Sequence, residues 1–308
     1  MSNDFVGTLF IQAFFVAGEV LWVHEAMYFE QKGEGRVVCC LCPHRCRLGE
    51  GQLGICQARQ NLQGKLYSLN YGQVSSIALD PIEKKSLRHF QPGSSVLSVG
   101  SFGCNFRCSY CQNWSISQQK PDTREVSPEE LAELALRYAS SHPDCIGVAY
   151  TYSEPVIWYE YVLDSARRVK QNGLSNVLVT NGYLEKEPLQ ELLPYIDAIN
   201  LDIKSYTDDF YRQMCGGFLS HVLDNARLMA GYCHLEVTTL LIPGKNDTAK
   251  EIGALAKFLA EIKPDIPLHL TRYFPNYKMD LPPTPRQSMN RALREARQYL
   301  KYVHPGNV

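Results

Sequence analysis

The chain has 308 residues, of which 45% are hydrophobic and 20% charged, a composition typical of a globular protein and not of a disordered or fibrous one. Its 31 lysines and arginines nearly balance 32 aspartates and glutamates, and the formal net charge of -1 gives no electrostatic reason to expect binding to nucleic acid or to an anionic membrane. At about 150 residues per domain, this length allows two domains or one large α/β domain.

The N-terminal segment is apolar but lacks the marks of a targeting sequence. The run from Phe5 to Gly18 is uncharged and too short to span a bilayer. A secretory signal would begin with basic residues, yet the first lysine or arginine is Lys32. We therefore treat residues 1–26 as an extension outside the predicted fold. A start at Met27, or a core helix or strand, are the alternatives.

Eight of the 11 cysteines fall in two groups, which indicates metal binding more than disulfides. An odd number of cysteines and the absence of a secretory signal favour reduced thiols in the cytoplasm. We predict a Cys-rich metal-binding module over residues 27–93. Its four candidate ligands, in the pattern C-x2-C-x3-C-x9-C, can close a structural zinc site or carry an auxiliary iron-sulfur cluster. These ligands are Cys39, Cys42, Cys46 and Cys56, with Cys40 as an extra thiol.

Short β-branched runs alternate with helix-length amphipathic stretches from residue 94 onward. Ser127-Pro128 and Thr248 are typical helix starts. The alternation predicts a parallel sheet, either open and doubly wound or an incomplete barrel, over residues 94–280, and a C-terminal loop and helix over 281–308. The six predicted strands are Ser95 to Val99, Ile146 to Tyr152, Asn176 to Thr180, Ala198 to Ile203, His234 to Ile242 and Pro267 to Arg272.

Polar and unusual residues cluster directly after these predicted strands. Both sheet types place their chemistry at the carboxyl ends of the strands, so we expect these residues to meet there. Cysteines outside the two groups are expected to be small buried hydrophobic residues; they are Cys145, Cys215 and Cys233. The strand-end residues are Cys104 to Cys111, Ser153, Glu154, Asn181, Asp202, Lys204, Arg272 and Tyr273.

The second cysteine group is a C-x3-C-x2-C loop formed by Cys104, Cys108 and Cys111. Three thiolates without an obvious fourth would leave a [4Fe-4S] cluster with one iron free to bind another molecule. Zinc with an open coordination position is the competing interpretation. A set of unliganded core cysteines is the third.

With Tyr110 before its third cysteine, this loop resembles that of the radical S-adenosylmethionine enzymes. Over residues 27 to 280, further motifs resemble the radical enzyme of the AmmeMemoRadiSam system, a group similar to the activating enzymes of pyruvate formate-lyase. The resemblance implies a partial (β/α)6 barrel. The motifs are Cys42-Pro43-His44-x-Cys46, Asp80-Pro81-Ile82-Glu83-Lys84-Lys85, Gly103-Cys104-Asn105 to Cys111-Gln112-Asn113, Tyr150-Thr151-Tyr152-Ser153-Glu154-Pro155 and Asp202-Ile203-Lys204.

The same resemblance implies a mechanism and its cofactors. A [4Fe-4S] cluster held by the three loop cysteines would pass an electron to S-adenosylmethionine, which yields a 5'-deoxyadenosyl radical that abstracts hydrogen from a substrate. An electron donor such as a flavodoxin or a ferredoxin, and a protein substrate, are the partners expected by this analogy. Radical modification of a small molecule remains the alternative. A nonenzymatic iron-sulfur electron carrier is the competing interpretation from a different functional class.

The resemblance also assigns cofactor-binding residues. It implies that Glu154 and Ser153 lie at the methionine ammonium; a cap of the turn before Pro155 is the alternative for Glu154. Asp202 and Lys204 lie on one face of a strand, and the resemblance implies a role in catalysis for them, the lysine near the methionine carboxylate. Asn181 and Tyr110 complete this set.

Four residues depart from the pattern of the activating enzymes. Tyr152 and Ser153 stand in place of two glycines, Val179 in place of an aspartate, and Phe274 in place of a histidine. These departures argue against a simple transfer of the activating enzymes' substrate to this chain.

Overall fold

The structure is a computed structural model that describes the backbone of residues 11–16 and 19–308 and the side chains from residue 23 onward. The predicted extension, residues 1–26, lies partly outside the described residues. Its described part forms strand β1 (Ile11–Val16) and strand β2 (Glu19–Glu25), which pair antiparallel. The described part of this segment therefore forms strands, which is one of the alternatives given above.

Small antiparallel sheets make up most of the Cys-rich part. Strands β3, β4 and β5 form one sheet, and β7 and β6 extend the β1–β2 pair into a four-stranded sheet. A 3-10 turn, Ile82–Lys85, follows the last strand of this part. The strands are β3 (Phe29–Lys32), β4 (Arg36–Cys39), β5 (Arg47–Leu48), β6 (Arg59–Leu62), β7 (Lys65–Ser68), β8 (Gln73–Val74) and β9 (Ser76–Pro81).

One large sheet organises the rest of the chain. Its strand order is β17-β16-β15-β14-β13-β12-β10-β9, with all neighbours parallel except β10 and β9, while β11 pairs with β8. The six predicted strands are all present. The strands are β10 (Ser95–Gly100), β11 (Arg124–Glu125), β12 (Cys145–Tyr150), β13 (Ser175–Thr180), β14 (Ala198–Asp202), β15 (His234–Leu241), β16 (Leu268–Arg272) and β17 (Val303–Gly306).

Helices connect the parallel strands and cover the sheet. The described residues form eight α-helices, accompanied by 3-10 turns at Pro155–Ile157 and Leu193–Tyr195 and by a π-helical turn, Tyr211–Cys215. No described helix is long and apolar enough to cross a membrane. The helices are α1 (Trp114–Ser117), α2 (Pro128–Ser141), α3 (Tyr159–Gln171), α4 (Lys186–Leu192), α5 (Asp208–Phe210), α6 (Leu219–Tyr232), α7 (Ala249–Ile262) and α8 (Arg286–Ala296).

Two predicted helix starts are capped as their sequences indicate. Ser127 Oγ accepts from the backbone N–H of Glu130, whose carboxylate accepts from the backbone N–H of Ser127. Thr248 Oγ1 accepts from the N–H of Glu251 at the start of α7. Each cap contributes about 1 kcal/mol of helix stability. The last predicted helix ends at Ala296, because the chain turns there to enter β17.

The fold is the partial barrel that the sequence predicts. Every residue of β10 is buried, as expected of a parallel strand covered on both faces. The edge strands β9 and β17 do not pair with each other in the described part, so the barrel stays open. Because β9 belongs to the Cys-rich part and pairs with β10, the two parts share one sheet. The domain bounds at 93 and 280 stay predictions.

Candidate functional site

A cavity of about 360 Å³ lies at the carboxyl ends of the parallel strands. Its volume falls in the range of small-molecule sites. The strand-end rule thus brings together residues at the ends of β12, β13 and β14 and the cysteine loop that follows β10. The predicted site residues that line it are Cys104, Cys108, Cys111, Tyr110, Ser153, Glu154, Asn181, Asp202 and Lys204.

The cysteine loop after β10 is held in place by hydrogen bonds along its length. The N–H of Gly103 donates to the carbonyl of Ile116 at 2.9 Å, and the N–H of Arg107 donates to the carbonyl of Cys215 at 2.7 Å. The N–H of Phe106 lies 3.3 Å from Cys104 Sγ, a contact that would stabilise a thiolate there. The three cysteines are therefore presented on a preformed loop.

Gly103 is required at the start of this loop for two reasons. Its φ of +87° lies in the region that favours glycine. A Cβ at this position would also stand 2.5 Å from the carbonyl oxygen of Cys56. The loop after β10 and the Cys-rich part therefore approach each other more closely than any other residue would permit.

The thiols of the loop are in unequal environments. Burial raises the pKa of Cys104 well above its usual range. A hydrogen bond with Cys215 and the nearby Lys204 ammonium instead lower the pKa of Cys108, although burial opposes them. Cys215 is buried, as predicted for a cysteine outside the two groups, but it lies beside the site, with its Sγ 3.5 Å from Tyr110 Oη. Its distance from the motif along the chain explains why the sequence did not reveal this contact.

Glu154 links the ends of β12 and β13. Its Oε1 accepts from Thr180 Oγ1 at 2.5 Å and from the N–H of Val156 at 3.1 Å, and its Oε2 accepts from the N–H of Asn181 at 2.8 Å. Burial raises the pKa of this carboxyl to about 7. The cap of the turn before Pro155, the alternative interpretation, is formed. Glu154 also lines the cavity, so its predicted role at the methionine ammonium stays a prediction.

Asp202 and Lys204 form an ion pair at the cavity. Lys204 Nζ donates to Asp202 Oδ2 at 2.5 Å, and the two side chains are 17% and 32% exposed. Although burial lowers the pKa of Lys204, Asp202 raises it well above its usual range. Asp202 Oδ1 is buried and has no hydrogen-bond partner. This oxygen is an acceptor available to a donor group of a bound molecule.

Asn181 connects the end of β13 to the cysteine loop. Its Nδ2 donates to Asn105 Oδ1 at 2.9 Å and lies 3.8 Å from Cys104 Sγ. Its Oδ1 accepts from the N–H of Tyr183 at 2.8 Å, which fixes the orientation of the amide. Asn181 is thus a positioning residue for the loop in addition to lining the cavity.

Tyr152 has a positive φ angle, a backbone conformation that favours glycine. It is one of the positions where the activating enzymes are expected to have glycine, and its φ here is +70°. Such a conformation costs a non-glycine residue about 1–3 kcal/mol unless its surroundings hold it. Tyr152 Oη donates to Asp80 Oδ2 at 2.8 Å, and the Lys85 ammonium lies 4.8 Å from the ring centroid. These contacts give the Asp80 to Lys85 motif a structural role that the sequence did not reveal.

Some of the other residues that depart from the activating-enzyme pattern, and some of the other strand-end residues, do not reach the cavity. Val179 lines it, whereas Arg272, Tyr273 and Phe274 do not. Phe274 is 41% exposed and stacks on the guanidinium of Arg272. Several residues that line the cavity were not predicted from the sequence. Only those on β15 could have been, because alternate residues of a strand lie on the same face. The missed residues include Lys84, Ser86, Thr238, Leu240, Thr271 and Asn307.

The residues present fit a three-cysteine [4Fe-4S] cluster and a charged ligand beside it. The donor set is three cysteines on one loop, the chemistry that such a cluster requires. The buried, unpartnered Asp202 Oδ1 and the neighbouring ammonium of Lys204 offer an acceptor and a cation to a zwitterionic amino acid.

Comparison with known proteins identifies the family. The family model of the Radical SAM superfamily matches residues 98–259, more than half of the chain. The chain therefore belongs to the radical S-adenosylmethionine superfamily, as its cysteine loop predicts. Membership implies a [4Fe-4S] cluster and S-adenosylmethionine as cofactors.

Individual relatives agree with this assignment. The chain is 43% identical over 293 residues to an uncharacterized protein of Methanocaldococcus jannaschii, which covers 93% of the chain and 86% of that protein. It is 30% identical to the pyruvate formate-lyase-activating enzyme of Clostridium pasteurianum, over 56% of the chain and 72% of that enzyme. The structure of Streptococcus suis SuiB bound to precursor peptide SuiA aligns with a TM-score of 0.55 at 15% identity, over 68% of this chain and 48% of that one. This last likeness shows the fold alone.

Proposed function

We propose that the chain is an oxidoreductase that cleaves S-adenosylmethionine reductively and uses the resulting radical to abstract hydrogen. The observation that carries this proposal is the cavity itself. It joins three cysteines of one preformed loop to a Lys204–Asp202 pair with an unpartnered acceptor oxygen. An electron carrier would have no use for such a built pocket beside its cluster.

The residues of the chain have separable tasks in this proposal. Cys104, Cys108 and Cys111 would hold three irons of a [4Fe-4S] cluster, which when reduced would supply the electron for cleavage of S-adenosylmethionine to methionine and a 5'-deoxyadenosyl radical. Lys204 offers a cation to a carboxylate, and Asp202 Oδ1 accepts from a donor of the same ligand. With a ligand filling the cavity, the surrounding strand ends would exclude water, which protects a reactive intermediate.

The tasks of the other site residues are steric and orienting. Tyr110 is buried against the cysteine loop and shapes one wall of the cavity. Glu154 and Asn181 orient the ends of β12 and β13, and Ser153 lines the cavity next to Glu154. These are the positions at which we expect the methionine part of the ligand to be oriented.

The substrate class that we favour is a protein partner, activated by hydrogen abstraction as glycyl-radical enzymes are. The likeness to pyruvate formate-lyase-activating enzymes, and the motifs resembling the AmmeMemoRadiSam radical enzyme, support this choice. A flavodoxin or a ferredoxin is the electron donor that suits such an enzyme. All eleven cysteines of the chain lie in the described part and are free thiols, which supports a reducing, cytoplasmic setting. Radical modification of a small molecule is the alternative, favoured by the departures at Tyr152, Val179 and Phe274.

The test is the formation of 5'-deoxyadenosine. The protein is purified anaerobically, its cluster is reconstituted, and dithionite and S-adenosylmethionine are added. The triple variant, in which all three loop cysteines are changed to alanine, should lose the product. Cys145→Ala, at a buried cysteine at the far end of β12, is the matched control and should keep it.

Each outcome has a defined meaning. Product that disappears only in the triple variant supports radical chemistry at this loop. No product from a loaded and reducible cluster, with or without cell extract as a source of substrate, would favour the electron-carrier function. Transfer of deuterium from a labelled polypeptide fraction, but not from a small-molecule fraction, would identify a protein substrate.

A further inference from the structure

Four cysteines of the N-terminal part converge on a second, small cavity. Cys39 ends β4, Cys42 and Cys46 lie in the turn between β4 and β5, and Cys56 lies in the loop before β6. All four line this cavity. A Cβ placed on Gly54 would stand 3.7 Å from Cys56 Sγ and 3.9 Å from Cys46 Sγ, so the two turns face each other across it.

A buried arginine lies against the same cavity with part of its guanidinium unpaired. Arg59 is 1% exposed, and its Nη2 donates to both carboxylate oxygens of Glu160 at 2.9 and 2.7 Å. Its Nε and Nη1 atoms have no partner, although buried N–H donors are costly to leave unpaired. Arg59 also lines the cavity with the four cysteines. The structure thus offers unpaired cationic donors to a negatively charged group at this place.

A tetrathiolate metal site is such a group. Four thiolates around one divalent ion carry a net charge of about -2, and their sulfur atoms accept hydrogen bonds. As they stand, no three His, Cys, Asp or Glu side chains of the described residues are placed to hold one metal ion. The cysteine side chains must therefore turn inward to close on an ion.

The size of the cavity favours one of the two metal centres that the cysteine pattern allows. It measures about 10 Å³, room for about one water-sized atom. A cluster of four irons and four sulfides requires far more space, whereas the cavity at the loop after β10 measures about 360 Å³. We propose that Cys39, Cys42, Cys46 and Cys56 bind a single zinc ion, with Arg59 as its buried counter-charge.

The proposed zinc turns also contact the loop that carries the other cysteines. His44, between two of the zinc ligands, has its Nε2 2.7 Å from the carbonyl oxygen of Asn105. Arg107 Nη2 donates to the carbonyl of Ile55, next to the last zinc ligand. Zinc binding therefore orders the surface against which the cluster loop packs. Loss of zinc should lower the iron content of the protein as a secondary effect.

Elemental analysis of the full chain tests the site without reference to activity. Wild-type protein should contain about one zinc and about four irons per chain, and the triple variant of the loop cysteines should keep the zinc and lose the iron. Cys39→Ser combined with Cys56→Ser should lower zinc about 10-fold or more. Cys40→Ser is the matched control, because its Sγ lies 3.6 Å from Glu30 Oε1, away from the cavity.

Two results would overturn the proposal. About four irons retained by the triple variant would show an auxiliary cluster at these cysteines instead of zinc. Wild-type protein purified without chelator but free of zinc, with normal folding by circular dichroism, would show a cluster of free thiols. Neither result depends on cleavage of S-adenosylmethionine, so failure here is distinguishable from failure of the proposed function.

The part played by the arginine has its own test. Changing Arg59 and Glu160 together to methionine removes a buried ion pair without leaving one charge alone. Zinc affinity, measured by competition with a chromophoric chelator, should fall about 10- to 100-fold. The same double change at Arg137 and Glu133, an exposed pair on α2, should leave it unchanged. Zinc affinity within about 2-fold of wild type after the buried change would contradict the role of Arg59.

Discussion

Asp202→Asn tests the ligand-binding half of the site with little change of shape. Asp202 Oδ2 is occupied by Lys204 Nζ at 2.5 Å, while Oδ1 is buried and unpartnered. If Oδ1 accepts from S-adenosylmethionine, that charge-assisted hydrogen bond contributes about 1.5–3 kcal/mol. An amide keeps one acceptor for Lys204 but turns its NH2 toward the ligand's donor. The dissociation constant should therefore rise about 10- to 150-fold.

The assay is equilibrium dialysis of S-adenosylmethionine against anaerobically reconstituted protein of equal iron content. Asp224→Asn makes the same charge change at an exposed carboxylate that pairs with Arg227, and should bind like wild type. Circular dichroism of each variant shows that folding is retained. An affinity of Asp202→Asn within about 2-fold of wild type would refute the assignment of the unpartnered oxygen to the ligand.

Three further outcomes are expected. Although burial raises the pKa of Glu236, hydrogen bonds from two histidines and two backbone N–H groups outweigh it and hold this pKa below its usual range. Its contribution to stability is complete above the unfolded-state pKa and is lost progressively as pH falls toward the lowered folded-state pKa. Glu236→Gln should therefore cost about 2–4 kcal/mol in urea unfolding at pH 7 and less near pH 3; an equal cost at both would contradict this. Tyr152→Phe, which removes the donor to Asp80, should lower the free energy of unfolding by about 1–2 kcal/mol, and an unchanged urea midpoint would count against it. Cys215→Ala should make the reduction potential of the cluster more negative, because a hydrogen bond to the Cys108 sulfur is lost. The potential is measured by a redox titration monitored by electron paramagnetic resonance, and an unchanged potential would exclude this contact.

Local patterns were enough to predict the architecture. Strands of β-branched residues alternate with amphipathic helices, and parallel strands must place their carboxyl ends at one edge of the sheet. This rule alone places residues as distant in the sequence as Cys104 and Lys204 at one edge of the sheet, where both line the cavity. Strand β17 was missed because it is short and contains a proline and a glycine, so its pattern is not that of a strand.

What the sequence by itself determined is the superfamily, the parallel sheet and the cysteine loop, because each depends on a short spacing or a local period. Tertiary structure alone decided the pairings between distant residues. Tyr152 and Asp80 are 72 positions apart, Arg59 and Glu160 are 101 apart, and no local pattern links either pair. The unpartnered nitrogens of Arg59 and the unpartnered oxygen of Asp202 likewise exist only because packing buries those atoms in the folded chain.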